Sequence, residues 1–334
     1  MYCERLKQAL IISCCGAFLV ALSSLSFAQA DRKFSVKISG FTQATSILGE
    51  DNGAFKFGFD RVRIVAKGGL NQYVDYKLQV DFMKATAGID KDGDTPAIIK
   101  DAEITFRAGK KLRFSVGKFK TPIGMEFNNS GKKLDFVKRG FGHQTFVFER
   151  NAGAMIHAKG LGEAGFGFAF GVFNAGPKNA TNVGNAKDGD YTLVGRVSLD
   201  PSKAFHVEGY WGSATTSIDT QKAVTVFGLG AIAKVQKFVF KGEFMKRNDA
   251  QNAKADGTTF YVQGGLRISP RVQPVIKYEK LDVTNDKRDR TDITLGVNFF
   301  LNPKNVHQSK IMLNYIISDA KGKDALQVMY QASF

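Results

Sequence analysis

Hydrophobic and polar residues alternate with a period of two along most of the chain. The segments VDYKLQVDF (74–82), DAEITFRA (101–108) and TDITLGVNFF (291–300) are examples in which every second residue is apolar. The residues between them are mostly charged, polar or glycine. This period is typical of β-strands with one apolar face, and the residues after position 30 contain no comparable stretch with helical periodicity. The pattern therefore predicts an all-β fold.

About sixteen such segments, each of roughly ten to fourteen residues, cover nearly all of residues 33–334. The breaks between them alternate between short and long. Short breaks lie at 68–69, 109–110, 160–162, 200–201, 234–237, 269–270 and 302–303, and long breaks at 49–54, 83–97, 121–151, 174–189, 215–221, 247–257, 282–289 and 319–323. Short turns at one rim and long loops at the other are typical of outer-membrane barrels. The sequence predicts a transmembrane antiparallel β-barrel of about 16 strands.

A soluble β-sandwich would show the same alternation, so two further features decide between the folds. Charged side chains stand in the middle of strands, as Asp75, Lys77 and Asp81 do, which suits a polar lumen. The chain ends in ALQVMYQASF, and a last strand ending in an aromatic residue such as Phe334 resembles those read by the barrel-assembly machinery. We therefore predict a barrel, with that machinery, outer-membrane lipid and lipopolysaccharide as partners. An exported soluble β-rich binding protein is the alternative.

Residues 1–30 have the pattern of a cleaved signal peptide. Arg5 and Lys7 precede an apolar core from Ala9 to Leu22, and Ala28-Gln29-Ala30 forms a small-x-small cleavage site. The prediction is export to the outer membrane of a Gram-negative bacterium, with residues 31–334 as the barrel domain. All three cysteines lie in the leader, so the exported part has no disulfide and no cysteine metal site.

The chain is strongly basic, with 47 Lys and Arg against 31 Asp and Glu. Without the leader, which carries Glu4, Arg5 and Lys7, the numbers are 45 and 30, a net charge of +15. An excess of this size predicts an anionic partner. The charge is spread along the chain instead of forming a basic helix, which favours small anions over nucleic acid. The four histidines lack metal-ligand spacing, no cofactor is predicted, and Asp90, Asp92 and Asp94 match a calcium loop only in part.

Several segments resemble, in order, the signatures of one known family. They are FGFDRVRIVAKGGL, IKDAEITFR, LRFSVGKFKTPIGMEFNNSGKKLDFVKR, FGVFNAGP, YTLVGRVSLDP and TLGVNFFLNP, of which GKFKTPIGME (117–126) is the most specific. They look like the phosphate-selective porin O and P family. The resemblance implies a sixteen-stranded homotrimeric channel whose long third loop folds into the pore.

The break after Lys120 is the candidate for this loop. Residues 118–150 carry seven basic and three acidic side chains, in a stretch too long for an ordinary hairpin. Basic groups where solute must pass are the physical basis of anion selectivity. Lys118 and Lys120 share the parity of lipid-facing Val116, so the strand is expected to bulge near Gly117 or to end before them. The predicted pore-lining residues of this segment are Lys118, Lys120, Ser130, Lys132, Lys133, Lys138 and Arg139.

The second strand supplies a further set. If Val62 and Ile64 face lipid, Arg61 and Arg63 face the lumen, because a charge near the middle of the membrane costs about 2–4 kcal/mol on the lipid face. The resemblance implies that this strand contributes arginines to the pore wall and that Asp101 is the acidic start of strand four. It also implies a binding lysine after Glu126, where this chain has Phe127, so strict phosphate specificity is not expected.

These features predict an anion-preferring diffusion channel, with phosphate or related anions as candidate solutes. An outer-membrane barrel enzyme is the remaining alternative. It would need a nucleophile, a base and an orienting group close together, and the sequence shows no such Ser/His/acid grouping. The protein is therefore predicted not to be an enzyme.

Overall fold

The computed structural model describes residues 34–49, 55–84, 98–174, 191–215, 223–250, 256–284 and 289–334. The predicted signal peptide and the calcium-like aspartates Asp90, Asp92 and Asp94 lie outside these ranges. The described residues form sixteen strands: β1 Lys37–Leu48, β2 Phe55–Gly69, β3 Val74–Asp81, β4 Ile99–Ala108, β5 Leu112–Lys120, β6 Arg150–Leu161, β7 Phe166–Asn174, β8 Tyr191–Ser202, β9 Phe205–Thr215, β10 Ala223–Val235, β11 Phe238–Asp249, β12 Gly257–Leu266, β13 Val272–Val283, β14 Arg290–Phe300, β15 Ser309–Ser318 and β16 Ala325–Ser333.

The strands form one closed antiparallel barrel in which each strand pairs with its sequence neighbours and β1 pairs with β16. The seam between β1 and β16 extends to the last residue, because the main-chain groups of Gly40 and Phe334 exchange two hydrogen bonds of 3.1 Å. Closure leaves no unpaired edge strand. The predicted barrel of sixteen strands is confirmed.

The two rims differ as the sequence predicts. Turns at one rim, the short-turn rim, are brief, with β8 and β9 joined by only Lys203 and Ala204. The connections at the other rim, the long-loop rim, include the stretch between β5 and β6. Each short break read from the sequence falls within a few residues of a short-turn connection, although the one between β14 and β15 spans 301–308.

The outer surface of the barrel is apolar. The outward positions of the strands carry exposed side chains such as Phe57, which is 81% exposed, and Leu229, which is 63% exposed. In a β-sandwich such faces would be buried against a second sheet, so this surface fits contact with lipid. None of the helices among the described residues is long and apolar enough to cross a membrane.

The connection between β5 and β6 folds into the barrel, as predicted. We call residues 121–149 the inner loop. It contains two short helices, α1 (Met125–Asn128) and α2 (Phe141–Thr145), and a 3-10 turn, Gly131–Lys133. Its apolar side chains form a buried cluster with inward-facing wall residues. The cluster includes Phe119, Ile123, Phe127, Phe141, Phe146, Val147, Phe173, Val194, Tyr210, Val226, Met245, Leu281 and Val283.

Strand β5 departs from regular geometry at Gly117, just before Lys118 and Lys120. Pairing with β4 and β6 continues through Lys118 without a register shift, so the strand does not end before the lysines. Gly117 instead adopts a φ of 116°, which side-chain-bearing residues rarely tolerate. A Cβ there would lie 2.1 Å from the carbonyl oxygen of Ala102. The expected irregularity is therefore a glycine-dependent backbone distortion, in place of a shifted register.

Candidate functional site in the barrel interior

One wall carboxylate holds the start of the inner loop. Glu243 on β11 accepts hydrogen bonds from the main-chain N–H groups of Met125 and Glu126, the latter at 3.1 Å, and from the hydroxyl of Tyr210 at 2.6 Å. These amides belong to the first turn of α1, where helix N–H groups lack intrahelical partners. The carboxylate therefore satisfies buried donors and fixes the loop against the wall.

The middle of the inner loop is held by polar groups from the opposite part of the wall. Asp135 accepts from Lys241 and, at 3.0 Å, from Gln263. The N–H of Val137 donates to Asn314 at 2.8 Å, and the carbonyl oxygen of Lys132 accepts from Gln331 at 3.2 Å. Contacts on β11, β12, β15 and β16 show that the loop crosses the interior as a fixed element.

Three cations meet beside the inner loop and bond to neutral oxygens. Arg61 Nη1 donates to Oε1 of Gln43 at 2.5 Å. Lys120 donates to the carbonyl oxygens of Phe127 and, at 3.1 Å, Asn129. Arg139 donates to the Glu126 carbonyl oxygen at 3.1 Å and to that of Asn129 at 2.7 Å. Within the described residues none of the three cations forms an ion pair.

Two more arginines complete this group but are paired with acids. Arg63 Nε lies 2.8 Å from Asp81, and Arg150 Nε lies 2.8 Å from Asp101. Asp101 also accepts from Lys77 at 2.7 Å. We call Arg61, Arg63, Lys120, Arg139 and Arg150 the basic cluster. Because Arg61, Lys120 and Arg139 lack acidic partners among the described residues, the cluster has an excess of positive charge.

The pKa values of the inner-loop residues Arg139 and Glu126 are shifted by burial and by the neighbouring charges. Burial and the neighbouring charge of Arg61 lower the pKa of Arg139 to about 9. Burial raises the pKa of Glu126, while Lys277 and Arg139 oppose that shift. Both shifts arise because desolvation disfavours the charged form of a buried group.

Other predicted residues lie next to the cluster. Lys118 is 4% exposed and lies near Arg150 and Asp101. Ser130 stands between Asn129 and Gly131, which both contact cluster cations. A Cβ at Gly131 would lie 3.1 Å from Arg61 Nε, so the glycine lets the arginine pack against the loop.

The structure places the remaining loop lysines elsewhere. Lys138 forms an ion pair of 2.6 Å with Asp60, in a contact between the inner loop and β2. Lys132 and Lys133 lie in the 3-10 turn on the side of β16, and Lys133 is exposed. The structure thus brings together Arg61, Arg63, Lys118, Lys120, Ser130, Arg139 and Asp101, but not Lys132, Lys133 and Lys138.

Sequence reasoning missed several members of the interior. Arg150 entered only the charge count of the loop segment, and neither Lys77 nor Gln43 was singled out as a site residue. The inward parity of Lys77 on β3 was visible in the sequence and could have identified it. The role of Gln43 leaves no signal in its own segment, because its partners Arg61 and Gln331 come from other strands.

Phe127 occupies the position where the family resemblance implies a lysine. Its ring is buried in the apolar cluster and stacks on His143 with centroids 5.2 Å apart. Lys120 Nζ lies 4.9 Å from the ring centroid and the Arg150 guanidinium 5.8 Å from it, within the range of cation–π contacts. The aromatic ring therefore supports the cluster cations without adding a charge.

A cavity of about 680 Å³ lies between the inner loop and the wall at β8–β10. Asn128 and Asn129 line it from the loop, and Arg196, His206 and Glu208 line it from the wall. His206 Nε2 lies 3.0 Å from Glu208 Oε2. Because Asn129 also accepts from Lys120 and Arg139, the cavity adjoins the basic cluster. The described residues contain no group of His, Cys, Asp and Glu that could hold a metal ion.

Comparison with known proteins gives a family match over part of the chain and a set of solved structures with the same fold. Residues 40–196 match the family model described as phosphate-selective porin O and P. No curated protein matches the chain in sequence.

Among solved structures, an anion-selective porin from Comamonas acidovorans is 14% identical with a TM-score of 0.62, covering 90% of this chain and 100% of its own. A loop L8 deletion mutant of OmpT, an outer membrane protein of Vibrio cholerae, is 12% identical with a TM-score of 0.63, covering 91% and 100%. The trimer form of OmpT is 12% identical with a TM-score of 0.59, covering 91% and 100%. At these identities the likeness shows the fold.

The family match and the fold point to a channel, not an enzyme. The match includes β2, β4, β5, the inner loop and β6, which carry the basic cluster. Residues 40–196 thus resemble the phosphate-selective porin O and P family, and the whole chain has the closed sixteen-stranded barrel of the solved porins.

Proposed function

We propose that the protein is an anion-preferring diffusion channel. The observation that carries the proposal is the group Arg61, Lys120 and Arg139, whose hydrogen-bond acceptors in the described chain are neutral oxygens. Their charge acts on solute beside the loop that narrows the lumen. In a partly desolvated interior each charge interacts more strongly than in bulk water.

The neutral acceptors of these three cations matter because a cation paired with a carboxylate exerts little net electrostatic field on a passing solute. Arg63 is paired with Asp81 and Lys138 with Asp60, while Arg150 shares Asp101 with Lys77. An anion next to Arg61 would add a charged acceptor to a guanidinium that now donates to an amide oxygen. A guanidinium and an oxyanion can also form two parallel hydrogen bonds, which an amide oxygen does not allow. The cluster thus supports a preference for anions over cations.

Phosphate or a related anion is the proposed solute class, in keeping with the family description and with an anion-selective porin of the same fold. Phe127 supplies no positive charge where the resemblance implies one. We therefore expect phosphate to block chloride current only weakly.

The test is the reversal potential of the reconstituted protein in a potassium chloride gradient across a planar bilayer. Chloride should be favoured over potassium. Arg61→Gln should lower the chloride-to-potassium permeability ratio severalfold, whereas Arg63→Gln, which leaves the charge of Asp81 behind, tests the paired arginine separately. Lys133→Gln is the matched control, since it removes one exposed charge of the inner loop outside the cluster. A cation-selective wild-type channel would overturn the proposal.

A loop variant separates the cluster from the loop lysines. The triple change Lys132→Glu, Lys133→Glu and Lys138→Glu tests whether those lysines form part of the filter. If it reversed selectivity while Arg61→Gln had no effect, the filter would lie in the loop lysines and not in the basic cluster.

The remaining parts of the proposal concern the assembled protein. We propose cleavage after Ala30, insertion by the barrel-assembly machinery, lipopolysaccharide as a surrounding lipid, and a homotrimer. The leader pattern, the terminal strand ending in Phe334 and a trimer form of the same fold support these points. N-terminal sequencing of protein from outer membranes and cross-linking in the membrane test them. An intact Met1 would exclude cleavage.

A further inference from the structure

Charged side chains on the outward face of the barrel are confined to one place in the described strands. Alternation and burial assign the outward positions of β1 to β16, and nearly all of them are apolar, small or hydroxyl-bearing. The exposed charged residues at such positions are Lys246 on β11 and Lys280 and Asp282 on β13. Because a charge facing hydrocarbon is costly, such a group needs a polar environment outside the protein.

Both lysines stand near the long-loop rim. Lys246 is three residues before the end of β11 at Asp249, and Lys280 is three residues before the end of β13 at Val283. In outer-membrane barrels the long loops are extracellular. The two ammonium groups therefore lie at the level of the headgroups in the outer leaflet.

Aromatic side chains mark this level independently. Lys246 pairs with Phe227 on β10, and Lys280 pairs with Phe260 on β12. The rings of Phe260 and Tyr278 lie 5.8 Å apart, and Phe227 lies 6.5 Å from Phe244. Aromatic belts of this kind occur at the membrane–water interface of barrels.

The register fixes how the lysines face each other. Lys246 is level with Thr258, which pairs with Asp282, two residues from Lys280 on the same face. Two strand spacings and a two-residue offset place their Cα atoms about 12 Å apart. Flexible lysine side chains can converge on one ligand or hold two anionic groups over this distance.

We propose that Lys246 and Lys280 bind the phosphate groups of lipid A in the outer-leaflet lipopolysaccharide. The acyl chains of the same molecule would pack on the aromatic and aliphatic side chains below. Asp282, whose carboxylate lies 3.7 Å from Lys280 and is 60% exposed, leaves the site with a net positive charge of one. This inference rests on the outer-membrane location and is independent of the proposed anion preference.

Native mass spectrometry of the detergent-solubilised full-length protein tests the site. Hexa-acylated lipid A with two phosphates is titrated in the presence of a chelator, so that divalent cations cannot bridge to Asp282. The double change Lys246→Gln and Lys280→Gln should raise the dissociation constant about 30-fold, from the attraction of two lysines to an anionic lipid surface. Lipid A without phosphates should bind the wild-type and double-variant proteins equally.

Matched controls isolate the position of the charges. Lys110→Gln with Lys237→Gln removes two exposed lysines from the short-turn rim and should leave lipid A binding unchanged. Lys246→Arg with Lys280→Arg should retain binding, since guanidinium groups also bind phosphate. The double glutamine variant should keep wild-type conductance and selectivity, which separates this test from that of the channel.

Three outcomes would overturn the proposal. In the first, the double glutamine variant binds lipid A as tightly as the wild type. In the second, the control pair of variants loses as much affinity. In the third, the double glutamine variant changes its oligomeric state at unchanged lipid A affinity, which would assign the lysines to a subunit contact. Heat-modifiable migration on gels verifies folding. If the double variant did not fold, each single lysine variant would be titrated in its place.

Discussion

Removing the carboxylate of Glu243 should release the start of the inner loop. In Glu243→Ala the N–H groups of Met125 and Glu126 lose their acceptor, as does the Tyr210 hydroxyl. A hydrogen bond to a charged group contributes about 1.5–3 kcal/mol, so the two amide bonds together contribute about 4 kcal/mol. If exchange occurs through local undocking, hydrogen-exchange protection of the first turn of α1 should fall roughly a thousandfold.

Hydrogen–deuterium exchange of the protein in detergent, followed on peptides that cover 121–130, measures this effect. The matched control is Glu208→Ala on β9, which removes the same charge from the interior while its carboxylate contacts His206 and Arg196 instead of the loop. Glu243→Gln keeps one acceptor oxygen and should lose less protection. Single-channel currents of Glu243→Ala should become larger and noisier. Unchanged exchange in 121–130 would refute the view that this carboxylate fixes the loop.

Three other perturbations test separate features. Gly117→Ala should lower the free energy of unfolding by about 1–3 kcal/mol, because φ is 116° and the new methyl would meet the Ala102 carbonyl oxygen; urea unfolding measures it, and wild-type stability would contradict the argument. Deletion of Phe334 removes two hydrogen bonds to Gly40 and should reduce the heat-modifiable fraction in outer membranes, whereas normal assembly would count against a role in closure. Burial, together with Lys310 and Lys133, lowers the pKa of His307 in the β14–β15 turn to about 4. The unfolded chain then binds more protons between pH 6.5 and 4, so stability is lost as the pH falls through this window; His307→Gln should flatten that dependence, and an unchanged profile would exclude the histidine.

The barrel could be predicted from sequence because its two faces meet different solvents. Outward residues such as Leu78 and Ile104 face lipid, and inward residues such as Asp75 and Arg107 face the polar interior. Each strand therefore shows alternating apolar and polar residues in its sequence. The long connection after Lys120 could also be recognised in the sequence, since it is too long for an ordinary hairpin loop.

The partners of the interior charges could not be predicted in this way. Parity indicates that Arg61 faces inward, but not that Gln43 accepts its hydrogen bond while Asp81 pairs with Arg63. Lysines that look equivalent in the sequence have different surroundings. Lys120 donates to carbonyl oxygens, whereas Lys138 forms an ion pair with Asp60, 78 residues away.

The sequence by itself determined the strands, the face of most residues in them and the net positive charge of the chain, because these depend on local periodicity and composition. Only the tertiary structure decided which charges are compensated. Contacts such as that of Glu243 with Glu126, 117 residues apart, depend on barrel closure, strand register and the path of the inner loop. These arise from the whole chain at once, and no single segment carries them.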